Sequence, residues 1–359
     1  MNRGCQGDAG TLAALGLGQD ALRLLIQGIA GRPVARIEAR LNQGAGGHRG
    51  YGRPKHSIVV QYEALGLIGE TFIFMKSVDT ANAEPQHYQY LHQHHAPVPT
   101  LYGRIDRPGV EVLLMLEHVR VIGERMPWPL FFADDQALTS ALRAIARFNA
   151  IQPSAAYDSM LPRMDCARSL RKAAGTLDEV WARGLRGDLG EELGNLCTQG
   201  RTGLPRLQQH CYDLIPPIAA METGLLHGDF YPDSVGWRHG SSEAVVFDLE
   251  TVRIGPRFMD VADWLGAADG ELPLGQPRHD LAQLYLDEYA RHGGLPPSVD
   301  TQLSQARTLH LYRLLTMLWF VLGRAHDGEV DWTEDRAEGR RVYRGILGNQ
   351  LRELLAECA

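Results

Sequence analysis

The segment 225–266 carries a His-Gly-Asp turn, His227, Gly228 and Asp229, behind the apolar pair Leu225 and Leu226. Nineteen residues beyond Asp229 a second aspartate, Asp248, closes the apolar run 244–247. Two carboxylates at the ends of short neighbouring strands suit one division of labour. One accepts or orients the proton of an attacking hydroxyl, and the other holds Mg²⁺ against the phosphates of a nucleotide. A cation for the same phosphates lies upstream at Lys76, at the end of the apolar run TFIFMK. Arginine is the default cation of this chain, with Lys55, Lys76 and Lys172 the only lysines among 36 basic residues, which sharpens the significance of a lysine in a buried strand. An ammonium in such a strand needs a partner. Glu84 on the following helix, Glu70 and Glu63 are the candidates, and helix starts favour acidic residues in any case. Each position also has a plain structural reading: a turn former at Asp229, a strand-end cap at Asp248, a snorkelling edge-strand lysine at Lys76. The three in this order weigh against it.

HGDFYPDS followed by VVFDLE resembles the catalytic segment of the aminoglycoside phosphotransferase and choline kinase family, small-molecule relatives of the protein kinases. The resemblance is strong over 215–266, weaker but ordered over 34–119, and architectural beyond Asp280. It implies an α+β, two-lobed protein-kinase-like fold. A β-rich N-terminal lobe with a leading helix (1–119) would bind nucleotide, and a mainly helical C-terminal lobe (120–359) would carry the catalytic loop and the substrate site. It further implies ATP or GTP as co-substrate with Mg²⁺, Asp229 as base, Asp248 as metal ligand, and Lys76 held by Glu84 on the α- and β-phosphates. The stretch 42–52, NQGAGGHRGYG, lies where kinases cover the phosphates. It lacks a strict GxGxxG, and Gly44, Gly46 and Gly47 would offer backbone N–H groups. The linker LEHV (116–119) would meet the adenine ring through Glu117 and Val119.

One departure matters. The family carries Asn five residues after the catalytic Asp, and this chain has Ser234. An amide oxygen is a better Mg²⁺ ligand than a neutral hydroxyl. Ser234 therefore coordinates directly or through water, or Asp233 replaces it, or a second metal is lost. The last outcome leaves a nucleotide-binding pseudokinase open beside the enzyme. The resemblance gives His227 a packing role behind the loop and makes Asp260 an anchor between helix and loop. Asp263 stays open between structure and function, and Glu250 between metal support, loop support and surface.

The resemblance implies phosphorylation of a hydroxyl on a small molecule, cationic or sugar-containing. An antibiotic comes first (an aminoglycoside, or a sugar-containing nucleoside or peptide antibiotic), and a metabolic alcohol such as choline, homoserine or a ribose derivative second. A protein substrate fits less well, because Asp260 follows Asp248 too closely for a long activation segment. Trp264, Asp269, Glu271, Trp319, Asp327, Glu329, Asp331 and Trp332 form an acidic and aromatic set that would suit ammonium groups and rings, or equally a solvated loop and core tryptophans.

The chain of 359 residues is long enough for two cores. A net charge of −7 disfavours nucleic-acid binding. The five cysteines show neither a CxxC pair nor zinc spacing, Asp20 and Arg23 break any signal-peptide core, and 314–322 is too short to span a bilayer, so the expected location is the cytoplasm. The patterning predicts a leading helix over 11–31, strands over 35–41, 57–62, 71–78 and 110–116, and a helix over 83–94 between the last two. Helices are predicted from Asp134 or Asp135 onward with Leu138, Leu142, Ile145 and Phe148 on one face, then over 168–183, 203–221, 278–292, 299–326 and 333–358. The lobe boundary is expected near 119–129.

Overall fold

The computed structural model describes residues 18–41, 55–107, 111–122, 128–268, 272–330 and 335–358. Gly44, Gly46 and Gly47, together with Asp269, Glu271, Asp331 and Trp332, lie outside the described residues. Two compact units are found, one from the described residues of Met1–Arg125 and Asp233–Glu250, the other from those of Met126–Pro232 and Thr251–Ala359. The β-rich first unit and the helical second give a kinase-like α+β fold.

The first unit is built on a five-stranded antiparallel sheet. Its strands β1 (Arg36–Leu41), β2 (Lys55–Ala64), β3 (Leu67–Asp79), β4 (Leu101–Arg107) and β5 (Glu111–Glu117) lie in the order β1-β2-β3-β5-β4. Ile58 pairs with Ile73 and Met75 with Met115, so the period-2 pattern puts these residues in one core. Leu22 and Ile26 of the helix Gln19–Ala30 complete that core, and Gly31 ends the helix at a left-handed φ of 64°. Leu65 and Gly66 join β2 to β3 with φ of 53° and 76°, a two-residue turn whose twist suits a hairpin. The helix Glu84–Gln93 follows β3, with the Asn82 side chain accepting a hydrogen bond from Glu84 N at 2.8 Å.

Two features of this unit differ from the patterning. β4 follows Pro97 and Pro99 and contains Gly103, and its register with β5 shifts between Leu101 and Gly103, which hides the alternation. A second, three-stranded antiparallel sheet joins β6 (Val119–Val121) to Val235–Arg238 and Ala244–Val246. The hairpin that ends at Asp248 thus belongs to the first unit although the chain on both sides of it belongs to the second.

In the second unit Asp134 caps the helix Asp135–Asn149, accepting from Ala137 N at 2.7 Å, and Leu138, Leu142, Ile145 and Phe148 are fully buried. The expected helix over 203–221 is two helices, Leu204–Asp213 and Ile215–Ala219. Pro216 and Pro217 lack the N–H groups needed to continue the first. A helix Glu191–Gln199 precedes them, where no element was predicted. The strands Thr223–Leu226 and Arg253–Pro256 pair antiparallel with Leu226 opposite Arg253, and the loop bearing Asp229 leaves from the end of the first. The longest helix, Val299–Asp327, starts under a Ser298 cap and is followed by Arg336–Glu357. Among the described residues no helix is long and apolar enough to cross a membrane.

Candidate functional site

In the first unit Lys76 near the end of β3 is 7% exposed and Glu84 is fully buried. Lys76 Nζ lies 3.0 Å from Glu84 Oε1 and 2.9 Å from Oε2. It also donates to Asp248 Oδ1 and stands 3.9 Å from Glu250 Oε2. The alternative partner Glu70 is engaged elsewhere, by Gln61 across the β2–β3 pair at 3.1 Å. Burial alone would lower the pKa of Lys76, but Glu84 and then Asp248 outweigh it and hold the ammonium above its ordinary range.

Asp248 itself sits at φ 69°, a left-handed conformation uncommon outside glycine. Two hydrogen bonds hold the backbone there. Asp248 N donates to Tyr88 Oη at 3.2 Å, and Leu249 N donates to Glu84 Oε1 at 3.2 Å. Glu84 therefore fixes the lysine and the turn behind Asp248 together. Glu84, Asp248 and Glu250 each bring a carboxylate oxygen into a group spanning no more than 4.8 Å. Hard oxygen donors of this kind fit Mg²⁺. Phe247 N donates to Ser234 O at 3.0 Å, which ties Ser234 across the hairpin to the residue preceding Asp248.

The linker is more committed than its sequence indicated. Glu117 N donates to Thr100 O at 2.8 Å and His118 N to Phe72 O at 3.3 Å. The Glu117 carboxylate accepts from Thr100 N and Oγ1, both at 3.1 Å, and pairs with Arg238. Val119 is held in register opposite Arg238.

In the second unit Asp229 lies on a loop held from below. Asp260 accepts from His227 N at 2.8 Å and Gly228 N at 2.9 Å, and Asn149 Nδ2 donates to the same carboxylate at 2.9 Å. Asn149 also donates to Leu225 O at 2.9 Å and accepts from Tyr285 Oη at 2.9 Å. Asp229 N donates to His227 Nδ1 at 3.3 Å, and the His227 ring is buried edge-on against Phe148 and Phe230. Gly228 has φ 86°, and a Cβ there would lie 2.4 Å from Thr251 O. Only glycine fits this corner without displacement. Asn149 and Tyr285 escaped the sequence reading. Their one signal is a polar group at a position whose helical spacing puts it among buried apolar residues.

Tyr231, two residues past Asp229, accepts from Arg313, whose Nε lies 2.7 Å from Asp263 Oδ2. Burial would raise the Asp263 carboxyl, but Arg313 and His310 hold it below its ordinary value. Burial pushes Tyr231 up to about 12, so it is a neutral phenol. The described members of the acidic and aromatic set do not gather. Trp264 is buried, whereas Trp319 is 54% exposed under Lys172 Nζ at 4.8 Å; Asp327 pairs with His326 and Glu329 with Arg336.

No curated protein matches the chain. Among solved structures, a mutant aminoglycoside 2′-phosphotransferase in its GDP complex aligns over 95% of this chain and 99% of its own, with TM-score 0.52 and 14% identity. Spectinomycin phosphotransferase in complex with ADP and spectinomycin aligns over 94% and 98%, with TM-score 0.51 and 12% identity. Plasmodium vivax ethanolamine kinase aligns over 89% and 84%, with TM-score 0.51 and 12% identity. At these identities the likeness is one of fold. The sequence profile of the phosphotransferase enzyme family matches residues 71–295, more than half of the chain, and the chain belongs to that family.

Proposed function

We propose that this phosphotransferase moves the γ-phosphoryl group of ATP or GTP to a hydroxyl of a small, antibiotic-type molecule, with Mg²⁺. The observation that carries the reading is Lys76 set among Glu84, Asp248 and Glu250. A lysine clasped by a helix carboxylate beside a carboxylate-rich turn is suited to a polyphosphate and its cation. The ADP and GDP in the two antibiotic phosphotransferases above favour a nucleoside polyphosphate.

Within this reading the first unit handles the nucleotide and the second the acceptor. Lys76, oriented by Glu84, meets the α- and β-phosphates, and the nucleobase lies along Glu117–Val119. Bound at Asp248, with Glu250 and Ser234 in support, Mg²⁺ would neutralise charge developing on the phosphates. Asp229 accepts the acceptor hydroxyl's proton, and Asp260 with Asn149 keeps its loop in place. Catalysis is by positioning and charge stabilisation, without a covalent enzyme intermediate. A metabolic alcohol kinase shares these steps and differs only in the acceptor.

The test is mass spectrometry of a pooled panel of hydroxylated antibiotics and metabolic alcohols incubated with the protein, Mg²⁺ and ATP or GTP. A product heavier by one phosphoryl group is expected, and Asp229→Asn should lower its rate at least ~100-fold while nucleotide binding by thermal shift persists. Nucleotide binding with no product across the panel would instead favour the pseudokinase suggested by Ser234.

A further inference from the structure

The loop that carries Asp229 is tied at both ends. At its start Asp260 accepts from the backbone N–H groups of His227 and Gly228, with Asn149 holding the same carboxylate. At its far end the Tyr231 hydroxyl accepts from Arg313, whose guanidinium also lies 5.2 Å from the centre of the Tyr231 ring. Asp229 stands between the two ties.

Arg313 comes from the helix Val299–Asp327, far along the chain, and its side chain is only 14% exposed. Gly266 lets that helix approach Ala262–Gly266 closely, since a Cβ there would lie 2.2 Å from Ala306 O. Arg313 Nε stands 2.7 Å from Asp263 Oδ2. Asp263 is fixed in turn by His310 Nδ1 at 2.9 Å, and His310 Nε2 faces the Glu353 carboxylate at 3.2 Å. Burial opposes a charge on Arg313, but Asp263 and then Tyr231, Asp260 and Asp229 outweigh it and hold the guanidinium above its ordinary range. One largely buried cation thus serves Asp229, the carboxylate that holds the start of its loop, and the phenol at its end. The rigid fork of an arginine can meet Tyr231 and Asp263 at once, which the point charge of a lysine does less well.

We propose that Arg313 is a positioning residue for phosphoryl transfer: through the Tyr231 hydroxyl it fixes the far end of the loop and so holds the Asp229 carboxylate in place for the acceptor hydroxyl. The proposal rests on the phosphotransferase reading for the role of Asp229. A carboxylate on a loop tied at one end swings about that tie, and a displacement of about 1 Å at the reacting group is enough to lose about 100-fold in rate. Arg313 supplies the second tie.

The experiment compares wild type with Tyr231→Phe, Arg313→Lys, Arg313→Met and a control, Glu357→Gln. The control breaks the 2.8 Å ion pair of Glu357 with Arg307, away from the loop, where Arg307 also pairs with Glu353. Phosphorylation kinetics use an acceptor found by the panel above, and hydrogen–deuterium exchange is followed on the full-length chain without substrates. Tyr231→Phe keeps the ring and the Arg313–Asp263 pair, and is expected to lower kcat about tenfold with both KM values within about twofold of wild type. Arg313→Met is expected to lower kcat about 100-fold, and Arg313→Lys, which keeps the charge, to recover part of that loss. Amides of 227–231 should exchange about tenfold faster in Tyr231→Phe, while those of Asp135–Asn149 and Val299–Asp327 keep their wild-type rates. Glu357→Gln should match wild type in both measurements. A wild-type kcat in Tyr231→Phe, a loss carried by KM, faster exchange across all helices, or an equal loss in Glu357→Gln overturns the proposal. If no acceptor is phosphorylated, the phosphotransferase reading fails by itself. Exchange at 227–231 then decides whether Arg313 ties the loop, and unchanged rates there overturn it.

Discussion

Replacing His310 with glutamine removes a buried positive charge and keeps a polar side chain of similar reach. His310 is raised from 6.5 to about 9 in the folded chain, because Asp263 and Glu353 outweigh its burial. At about 1.4 kcal/mol per pKa unit, this difference makes the imidazolium worth up to about 3 kcal/mol of folding stability. The sign follows from the raised folded value. The contribution is fully present below the ordinary histidine value of 6.5 and disappears as pH rises through about 9. Urea unfolding followed by tryptophan fluorescence at pH 6, 7.5 and 9.5 would measure it. The gap between wild type and His310→Gln should shrink by about 3 kcal/mol from the lowest to the highest pH, whatever packing loss the substitution adds equally at each. A gap independent of pH would mean a neutral imidazole, and would also leave the carboxylates around Asp263 in excess of the cations.

Ser234→Asn should lower the Mg²⁺ concentration for half-maximal turnover, because an amide oxygen is the stronger ligand; initial rates across a Mg²⁺ series check this, and an unchanged midpoint would separate Ser234 from the metal. Gly228→Ala places a Cβ 2.4 Å from Thr251 O at φ 86°, so it should cost about 1–3 kcal/mol and several degrees in Tm by calorimetry. The same variant should lose product formation while keeping nucleotide binding, since the strained corner lies in the second unit.

Much of the fold was legible because local patterns survive in the tertiary structure. The periodicity of Leu138, Leu142, Ile145 and Phe148 is a helix face, and Asp134 reads as its cap. The alternating apolar positions of β2 and β3 become the sheet core. β4 was hidden because Gly103 and a register shift beside it break its alternation. For the site, spacing brought Asp229, Asp248 and Lys76 to notice but left Lys76 with three candidate partners, and only the folded position of the helix Glu84–Gln93, which sets its first residue against Lys76, selects Glu84. The chain of polar contacts from Tyr231 through Arg313, Asp263 and His310 to Glu353 was invisible. Its members come from segments far apart in sequence, and a charged residue on a helix reads as solvated until its neighbour is known. The glycine-rich stretch 42–52 lies outside the described residues.

The discontinuity of the first unit has a consequence for biosynthesis. β6 finds its neighbour in Val235–Arg238, and Lys76 finds one of its two main carboxylates at Asp248, only after residues 126–232 have been made. At roughly 5–20 residues per second, that is a wait of about ten seconds on the ribosome. Throughout it Glu84 is the one of Lys76's three described carboxylate neighbours already made, and the linker strand lacks its partner Val235–Arg238. The first unit therefore matures after much of the helical unit has emerged, and a fragment ending at Arg125 would lack both the second sheet and Asp248. Expression of this half alone calls for a circular permutation or a fusion that restores Asp233–Glu250, not a simple truncation.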